Sequence, residues 1–308
     1  MGTLVDICLA TYNGEHFLEE FYNSLAKQLH HEWILLIRDD MSTDSTPSVT
    51  DKIAVSDSRV RLVDDNCGNL GVIKNFSTLL SFSTSKYVML ADQDDIWYPE
   101  KVAKSLSAIQ ELEQVNPGHI RPALVFSDLH VVDANLNVIH TSFVHMQGLE
   151  KLRQPSFRQL LTQNAAPGCT IIVNRALLDL ALPIPVEAVM HDWWLMQVAS
   201  LFGVIGYIDE PTMAYRQHDS NQVGARSHNL SNILRNCVDY KLGLDKAQLQ
   251  ARTLIKRYSE KMAKAELETA TAFAELSRRP PVLRQLSAWR HGLKKTGFVR
   301  NCGFYFLM

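Results

Sequence analysis

Long apolar runs are missing from this chain. The longest, from Trp193 to Ile208, is interrupted by Gln197 and two glycines and is too short to span a bilayer. No basic leader with a small-residue cleavage site opens the sequence, which enters a strand pattern at once, so secretion is not expected. Cysteine is scarce: the five at 8, 67, 169, 237 and 302 form no CxxC pair, and their odd number suits a reducing compartment. A cytoplasmic location is the expectation. Excess charge of either sign is also lacking. The net charge is -2 over 308 residues, so bulk electrostatics speak for no nucleic-acid partner. Repeats and low-complexity tracts are absent, and 46% hydrophobic with 21% charged residues is an ordinary globular composition. One absence is local: from Pro281 to Met308 there is neither Asp nor Glu.

What is present is an alternation of strand and helix signals. Val5, Ile7 and Leu9 alternate in a short strand closed by the turn residues Thr11-Tyr12-Asn13-Gly14. Phe17, Leu18, Phe21 and Leu25 then share a helical face, and Ile34-Leu35-Leu36-Ile37 reads as a strand covered on both sides. Asp44-Ser45-Thr46-Pro47 predicts a helix start. A third strand at Val60–Val63 and a helix marked by Val72, Phe76, Leu79 and Leu80 follow. Such alternation implies a mostly parallel sheet flanked by helices, with ligands bound beyond the carboxyl ends of its strands. In the second half, Ala123–Phe126 and Cys169–Val173 look like strands, and beyond about residue 225 the pattern turns helical.

The most informative segment is Leu90-Ala91-Asp92-Gln93-Asp94-Asp95, which sets three carboxylates directly after the apolar run Tyr87-Val88-Met89-Leu90. Unpaired carboxylates are too costly to bury, so these belong at the strand's mouth. Their mutual repulsion calls for a cation, and Mn2+ or Mg2+, bridging carboxylates to substrate phosphates, is the natural one. A solvated acidic turn is the plain alternative.

Taken together, Leu9-Ala10-Thr11-Tyr12-Asn13-Gly14, Arg38-Asp39-Asp40-Met41-Ser42-Thr43-Asp44 and Asp92-Gln93-Asp94-Asp95 resemble the N-terminal signatures of family 2 glycosyltransferases of the GT-A fold. Asn69-Leu70-Gly71 with Asn75 matches the stretch those enzymes place before the acidic motif. His191-Asp192-Trp193-Trp194 and Tyr215-Arg216-Gln217-His218 resemble the later motifs of bacterial surface-polysaccharide enzymes. The resemblance covers roughly residues 4–225 and departs at Met41, where the family usually has Gly, so a differently shaped turn is expected there.

The resemblance implies an α/β GT-A domain over 1–225, followed by a helical extension over 226–308. It implies a metal held by Asp94 with Asp92 nearby, neutralising the diphosphate leaving group. Asp92 would also reach the ribose, and Asp95 would steady the loop or the donor sugar; an N-cap ahead of Pro99 is the other reading of Asp95. Either Asp39 or Asp40 would bond the nucleobase, and Thr11 and Tyr12 would line its pocket. Lys74 is a candidate phosphate contact or a solvated lysine. Asp192 would be the general base of a direct, inverting displacement. Trp193 and Trp194 would stack on the acceptor sugar, and His218 is a third metal ligand or a loop-packing residue.

The expected enzyme is an inverting hexosyltransferase. Its first-choice donor is UDP-glucose and its acceptor a lipid-linked saccharide such as GlcNAc-diphosphoundecaprenol, in O-antigen or surface-polysaccharide synthesis. A dTDP-rhamnose donor is the close alternative, and a non-catalytic carbohydrate-binding protein is the competitor from another class. The acid-free tail mixes Arg284, Arg290, Lys294, Lys295 and Arg300 with Trp289, Phe298, Phe304, Tyr305 and Phe306. Basic and aromatic side chains together suit the surface of an anionic membrane, so a peripheral place on the inner face of the bacterial cell membrane is expected. An ordinary solvated helix face is the other reading.

Overall fold

The computed structural model describes residues 2–114, 120–218 and 237–308. Strand β1 (Val5–Thr11) lies at the heart of the sheet, its residues buried on both faces. Its one carboxylate, Asp6, is held by Thr84 N at 2.7 Å, Ser85 N at 2.8 Å and Ser85 Oγ at 2.7 Å, in the loop that enters the next central strand. Helix α1 (Leu18–Ala26) buries Leu18, Phe21 and Leu25, the face its spacing predicts. It is followed by β2 (Trp33–Asp39), α2 (Thr46–Ser56), β3 (Val60–Leu62), α3 (Gly71–Phe82) and β4 (Tyr87–Ala91). Pro47 opens α2 as expected, and Asp44 Oδ1 accepts from Thr46 N at 2.9 Å. Strands β3, β2, β1 and β4 are consecutive and parallel, so Thr11, Asp39 and Asp92 emerge at one edge.

The second half extends the same sheet. Its strands are β5 (Ile96–Trp97), β6 (Ala123–Val132), β7 (Val138–His140), β8 (Ile172–Asn174) and β9 (Val204–Arg216). The full order is β3-β2-β1-β4-β8-β6-β9-β5, with β7 on β6. The long β6–β9 register is parallel, while β8 enters antiparallel between β4 and β6. Its helices are α4 (Lys101–Gln114), α5 (Phe143–Met146), α6 (Phe157–Thr162), α7 (Arg175–Ala181) and α8 (His191–Phe202).

Two departures from expectation have local causes. The strand expected from Cys169 begins only at Ile172, because Thr170 N and Oγ1 both bond Pro167 O, at 3.1 and 2.7 Å, and curl Gly168–Thr170 into a 3-10 turn. The apolar run from Trp193 divides at Gly203 into the end of α8 and the start of β9. A Cβ at Gly203 would stand 1.9 Å from Pro122 O, so the chain reverses there only with glycine.

The expected boundary at residue 225 falls outside the described residues. Beyond it come α9 (Cys237–Tyr258), α10 (Lys264–Ala274), α11 (Pro281–Arg290) and α12 (Phe298–Leu307). These helices join the core of the catalytic half: Leu244, Leu254, Tyr258, Phe273 and Phe304 belong to one buried cluster with Leu160, Leu177 and Trp194. Polar ties reinforce the seam, with Val189 N donating to Gln250 Oε1 at 2.6 Å and Tyr258 Oη to Leu180 O at 2.8 Å. Among the described residues no helix is long and apolar enough to cross a membrane.

Candidate active site

The edge where β1, β2 and β4 end is shaped by carboxylates that bond the backbone. Asp39 Oδ1 accepts from Thr11 Oγ1 at 3.1 Å and Ser42 Oγ at 2.5 Å, and its Oδ2 from Ser42 N at 2.8 Å, which folds the turn after β2. Asp40 is buried beside Arg38: its Oδ1 accepts from Arg38 Nη1 at 2.9 Å and Leu70 N at 2.7 Å, and its Oδ2 from Gly71 N at 2.8 Å. The other side of Arg38 is held by Asp65, whose carboxyl it pulls down to about 2. Of the two acids the sequence left unresolved, Asp40 lines the central cavity, together with Thr11 and Tyr12. Lys74 is exposed on α3 and is not among the lining residues.

Met41 stands at φ 63°, the left-handed conformation that glycine adopts without strain. The turn after Asp40 thus has a glycine-compatible backbone with a methionine in it. Nearby, Gln93 pins the acidic loop to the end of β1 through Tyr12 N and Tyr12 O, both at 3.0 Å. A Cβ on Gly14 would meet Gln93 Oε1 at 2.3 Å, so this clasp requires glycine.

Asp92 and Asp94 both line the cavity, and Asp95 lies beneath it, fully buried, accepting from Arg216 N at 3.3 Å. Burial, then the charges of Asp94 and Asp192, push the Asp92 carboxyl up to about 7. Asp95 is driven well above the ordinary carboxylate range by burial, Asp94 and Asp92. His218 Nε2 sits 2.8 Å from Asp94 Oδ2, and its ring stacks on Phe17 with centroids 4.5 Å apart. The stack on Phe17 is the loop-packing contact, and the contact with Asp94 sets the ring beside the acidic loop. Arg216 straps the acidic loop from below through Asp94 O at 3.1 Å and Ala134 O at 2.9 Å, and it pairs with Glu20. The sequence showed Arg216 inside a motif but not this fastening role, which needs a contact 122 residues away in the chain.

Two donor sets compete for a cation. Ligand atoms of Asp92, Asp95 and Cys169 lie within 4.8 Å of one another. However, Cys169 is fully buried, and burial with Asp95 and Asp92 raises its thiol far above the ordinary range, so it keeps its proton. A buried thiol is a poor partner for a hard cation. Asp92, Asp94 and His218 line the cavity with two carboxylates and an imidazole, donors that a hard cation accepts, and among the described residues their ligand atoms are not gathered within that same 4.8 Å.

The start of α8 also lines the cavity. Asp192 lines the cavity; its Oδ1 accepts from Trp193 N at 2.5 Å and Asn164 Nδ2 at 3.1 Å. Burial raises its carboxyl to about 7, against the lowering effect of those bonds. His191 beside it stacks on Phe76 with centroids 3.8 Å apart, and burial holds its ring neutral by depressing its pKa to about 3. The acceptor-stacking expectation for the tryptophans is corrected. Trp193 donates its indole N–H to Leu160 O at 2.6 Å and Trp194 to Ala181 O at 3.0 Å. Both are buried, and neither lines the cavity. They anchor α8 in the core and so fix Asp192.

These walls enclose one cavity of about 1310 Å³. Tyr240, Lys295 and Arg300 also line it, a contribution of the C-terminal helices that no motif announced.

Residues 6–170 match the family Glycosyl transferase family 2. The chain is a family 2 glycosyltransferase. It is 28% identical over 229 residues to the dTDP-rhamnosyl transferase RfbG of Shigella flexneri, covering 70% of this chain and 74% of that protein. A second relative is the UDP-Glc:alpha-D-GlcNAc-diphosphoundecaprenol beta-1,3-glucosyltransferase WfgD of Escherichia coli, 28% identical over 177 residues, 57% of this chain and 62% of that one. Among solved structures, TarS 1–349 of S. aureus with UDP-GlcNAc superposes with a TM-score of 0.57 at 17% identity, over 98% of this chain and 90% of the other. The mannosyltransferase PcManGT of Pyrobaculum calidifontis, with GDP-Man and Mn2+, gives 0.58 at 14% identity, over 93% and 75%. The fold of this glycosyltransferase is therefore the GT-A fold expected from its motifs, and the reading as a non-catalytic sugar-binding protein falls away.

Proposed function

We propose that this enzyme transfers a hexose, with inversion, from a nucleotide diphosphate sugar to a hydroxyl of a lipid-linked saccharide in surface-polysaccharide synthesis. The observation that carries the reading is a single cavity lined by Asp92, Asp94 and Asp192, with Asp192 near enough for its charge to act on Asp92. Asp40, Thr11 and Tyr12, which line the cavity together, hold the base of the donor. Asp92, Asp94 and His218 hold the divalent cation, Mn2+ or Mg2+. When bound, that cation neutralises the diphosphate as it departs. Asp192 takes the proton of the acceptor hydroxyl, and a carboxylate poised near neutrality suits that work. The hydroxyl oxygen then bonds the anomeric carbon as the bond from that carbon to phosphate breaks. One displacement turns an α-linked donor into a β-linked product.

UDP-glucose is the first-choice donor and GlcNAc-diphosphoundecaprenol the first-choice acceptor, the pair that the name of WfgD carries. A dTDP-rhamnose donor is the second reading, favoured by the longer match to RfbG. Peripheral membrane contact has its own support: Leu286, Trp289, Phe298 and Phe306 are all exposed, with Arg290 and Lys294 exposed beside them. Apolar and cationic groups on one exterior suit an anionic bilayer surface. The test is a panel of nucleotide sugars with a GlcNAc-diphosphate-lipid acceptor, read by mass spectrometry. Transfer that requires Mn2+ or Mg2+ and is lost in Asp94→Ala is expected. Full transfer by Asp94→Ala in metal-free buffer would overturn the metal assignment, and turnover of dTDP-rhamnose alone would replace the donor.

A further inference from the structure

Lys295 and Arg300 reach the catalytic cavity from a segment that contains no acid from Pro281 onward. Among the described residues neither has a carboxylate within ion-pair distance. Arg300 donates, among the described residues, to neutral oxygens of Gln147, the carbonyl at 2.5 Å and Oε1 at 2.7 Å. Lys295 Nζ lies 4.5 Å from the centre of the Tyr240 ring. Burial, and then the neighbouring charge of Arg300, lower the Lys295 ammonium to about 8. The Tyr240 hydroxyl is buried and has no hydrogen-bond partner among the described residues. Two cations and an unmet phenol hydroxyl therefore line one stretch of cavity wall. Such an arrangement is costly unless an anion completes it.

Which anion belongs there follows from how the segment is tied down. Thr296 N donates to Gln163 Oε1 at 2.7 Å, Gln163 Nε2 to Thr296 Oγ1 at 2.8 Å, and Thr162 Oγ1 to Lys294 O at 2.9 Å. The next residue along that strand of contacts is Asn164, whose side chain bonds Asp192. The cations are thus tied to the segment that holds the general base, whereas the donor's diphosphate is assigned above to Asp92 and Asp94. We propose that Lys295, Arg300 and the Tyr240 hydroxyl form a subsite for the diphosphate that joins the acceptor sugar to its lipid. Arg and Lys are the usual partners of phosphate oxygens, and the charge-assisted bonds they make are among the strong ones. The inference rests on the lipid-linked acceptor proposed above. It adds that the enzyme reads the linkage as well as the sugar, so a neutral glycoside of the same sugar is a poor acceptor.

The test uses the full chain saturated with UDP and Mn2+, which fills the donor site, and undecyl diphosphate as a sugar-free probe with undecanol as its control. Calorimetry should show undecyl diphosphate binding to the wild type, weakened on the order of 10- to 100-fold in Lys295→Met and Arg300→Gln, with UDP affinity unchanged. In turnover, the same variants should raise KM for GlcNAc-diphosphate-lipid and leave a p-nitrophenyl GlcNAc acceptor unaffected. Equal probe binding by wild type and variants would overturn the subsite. A variant that loses UDP binding would also overturn it, because the cations would then serve the donor. Failure of the broader reading looks different: the wild type then transfers no sugar to any diphosphate lipid, whatever the variants do with the probe.

Discussion

Replacing Asp192 by Asn separates catalysis from stability more cleanly than any other change in this enzyme. Burial pushes the carboxyl up to about 7 from its ordinary value of 3.8. Its folded form thus binds protons more tightly than its unfolded form. Stability attached to the proton is fully present below pH 3.8 and is lost as pH rises toward 7. At 1.36 kcal/mol for each pKa unit, the ionised carboxylate costs the metal-free fold on the order of 4 kcal/mol at pH 8. Asn carries no charge to ionise and keeps an oxygen for Trp193 N and Asn164 Nδ2. Asp192→Asn should therefore unfold at a higher temperature than wild type at pH 8, by several degrees, with the gap closing below pH 4. Turnover should fall by about 10²- to 10⁴-fold, the loss typical of a general base, while UDP–Mn2+ affinity stays within a few fold. Wild-type kcat should rise with pH along a limb that Asp192→Asn lacks. A bound cation favours the ionised carboxylate, so that limb should lie lower in pH with Mn2+ at saturation. The assays are calorimetric melting across pH and initial rates on the lipid acceptor. Joint loss of UDP binding and turnover would place Asp192 in the donor site, and a retained α-linkage in the product, read by NMR, would end the single-displacement mechanism.

Three further outcomes are expected. Met41→Gly should relieve left-handed strain of about 1 kcal/mol at an exposed turn and raise the urea midpoint with an unchanged m-value; a lowered midpoint would mean that the Met41 side chain, 3.3 Å from a Cβ placed on Gly68, contributes more than its strain costs. Trp194→Phe should cost about 1–3 kcal/mol through the lost bond to Ala181 O and lost packing, and leave acceptor KM unchanged; a raised acceptor KM in a protein of full stability would return Trp194 to the sugar. Mn2+ should raise the melting temperature more at pH 8 than at pH 6, because protons on Asp92 compete with the cation below about 7; Asp94→Ala should abolish the gain, and a pH-independent gain would remove Asp92 from the site.

That the residues proposed to hold the donor line one cavity was legible because their signals are local in the chain. Thr11, Asp40, Asp92 and Asp94 each follow a strand, and parallel strands deliver their ends to one edge whatever the helices do. The acceptor half was legible only at Asp192. Trp193 and Trp194 were misplaced because an aromatic beside an acid reads the same in a binding site and at a helix start, and only burial distinguishes them. Strand β9 escaped detection since Gly206, Asp209, Glu210 and Pro211 break its pattern along an exposed stretch. Lys295, Arg300 and Phe304 were read as part of a tail facing a membrane, and that is corrected: the two cations line the cavity and Phe304 is buried, a placement, like that of Tyr240, set by core packing of helices far along the chain.

The core shared by α6, α7 and α8 with the C-terminal helices limits how this enzyme can be recombined. Cutting near residue 225 would strip Tyr258, Phe273 and Phe304 from Trp194 and Leu160, leaving the helix that carries Asp192 without its backing. Asp40, Asp92 and Asp94 all precede α6, but His218 follows β9, so the residues proposed to hold base and cation are split by the stretch from α6 to α8. Chimeras joined before α6 would therefore carry the acidic loop of one parent against the histidine of the other. Those joined at the apparent end of the catalytic motifs would inherit the acceptor wall from one parent and its buttress from the other.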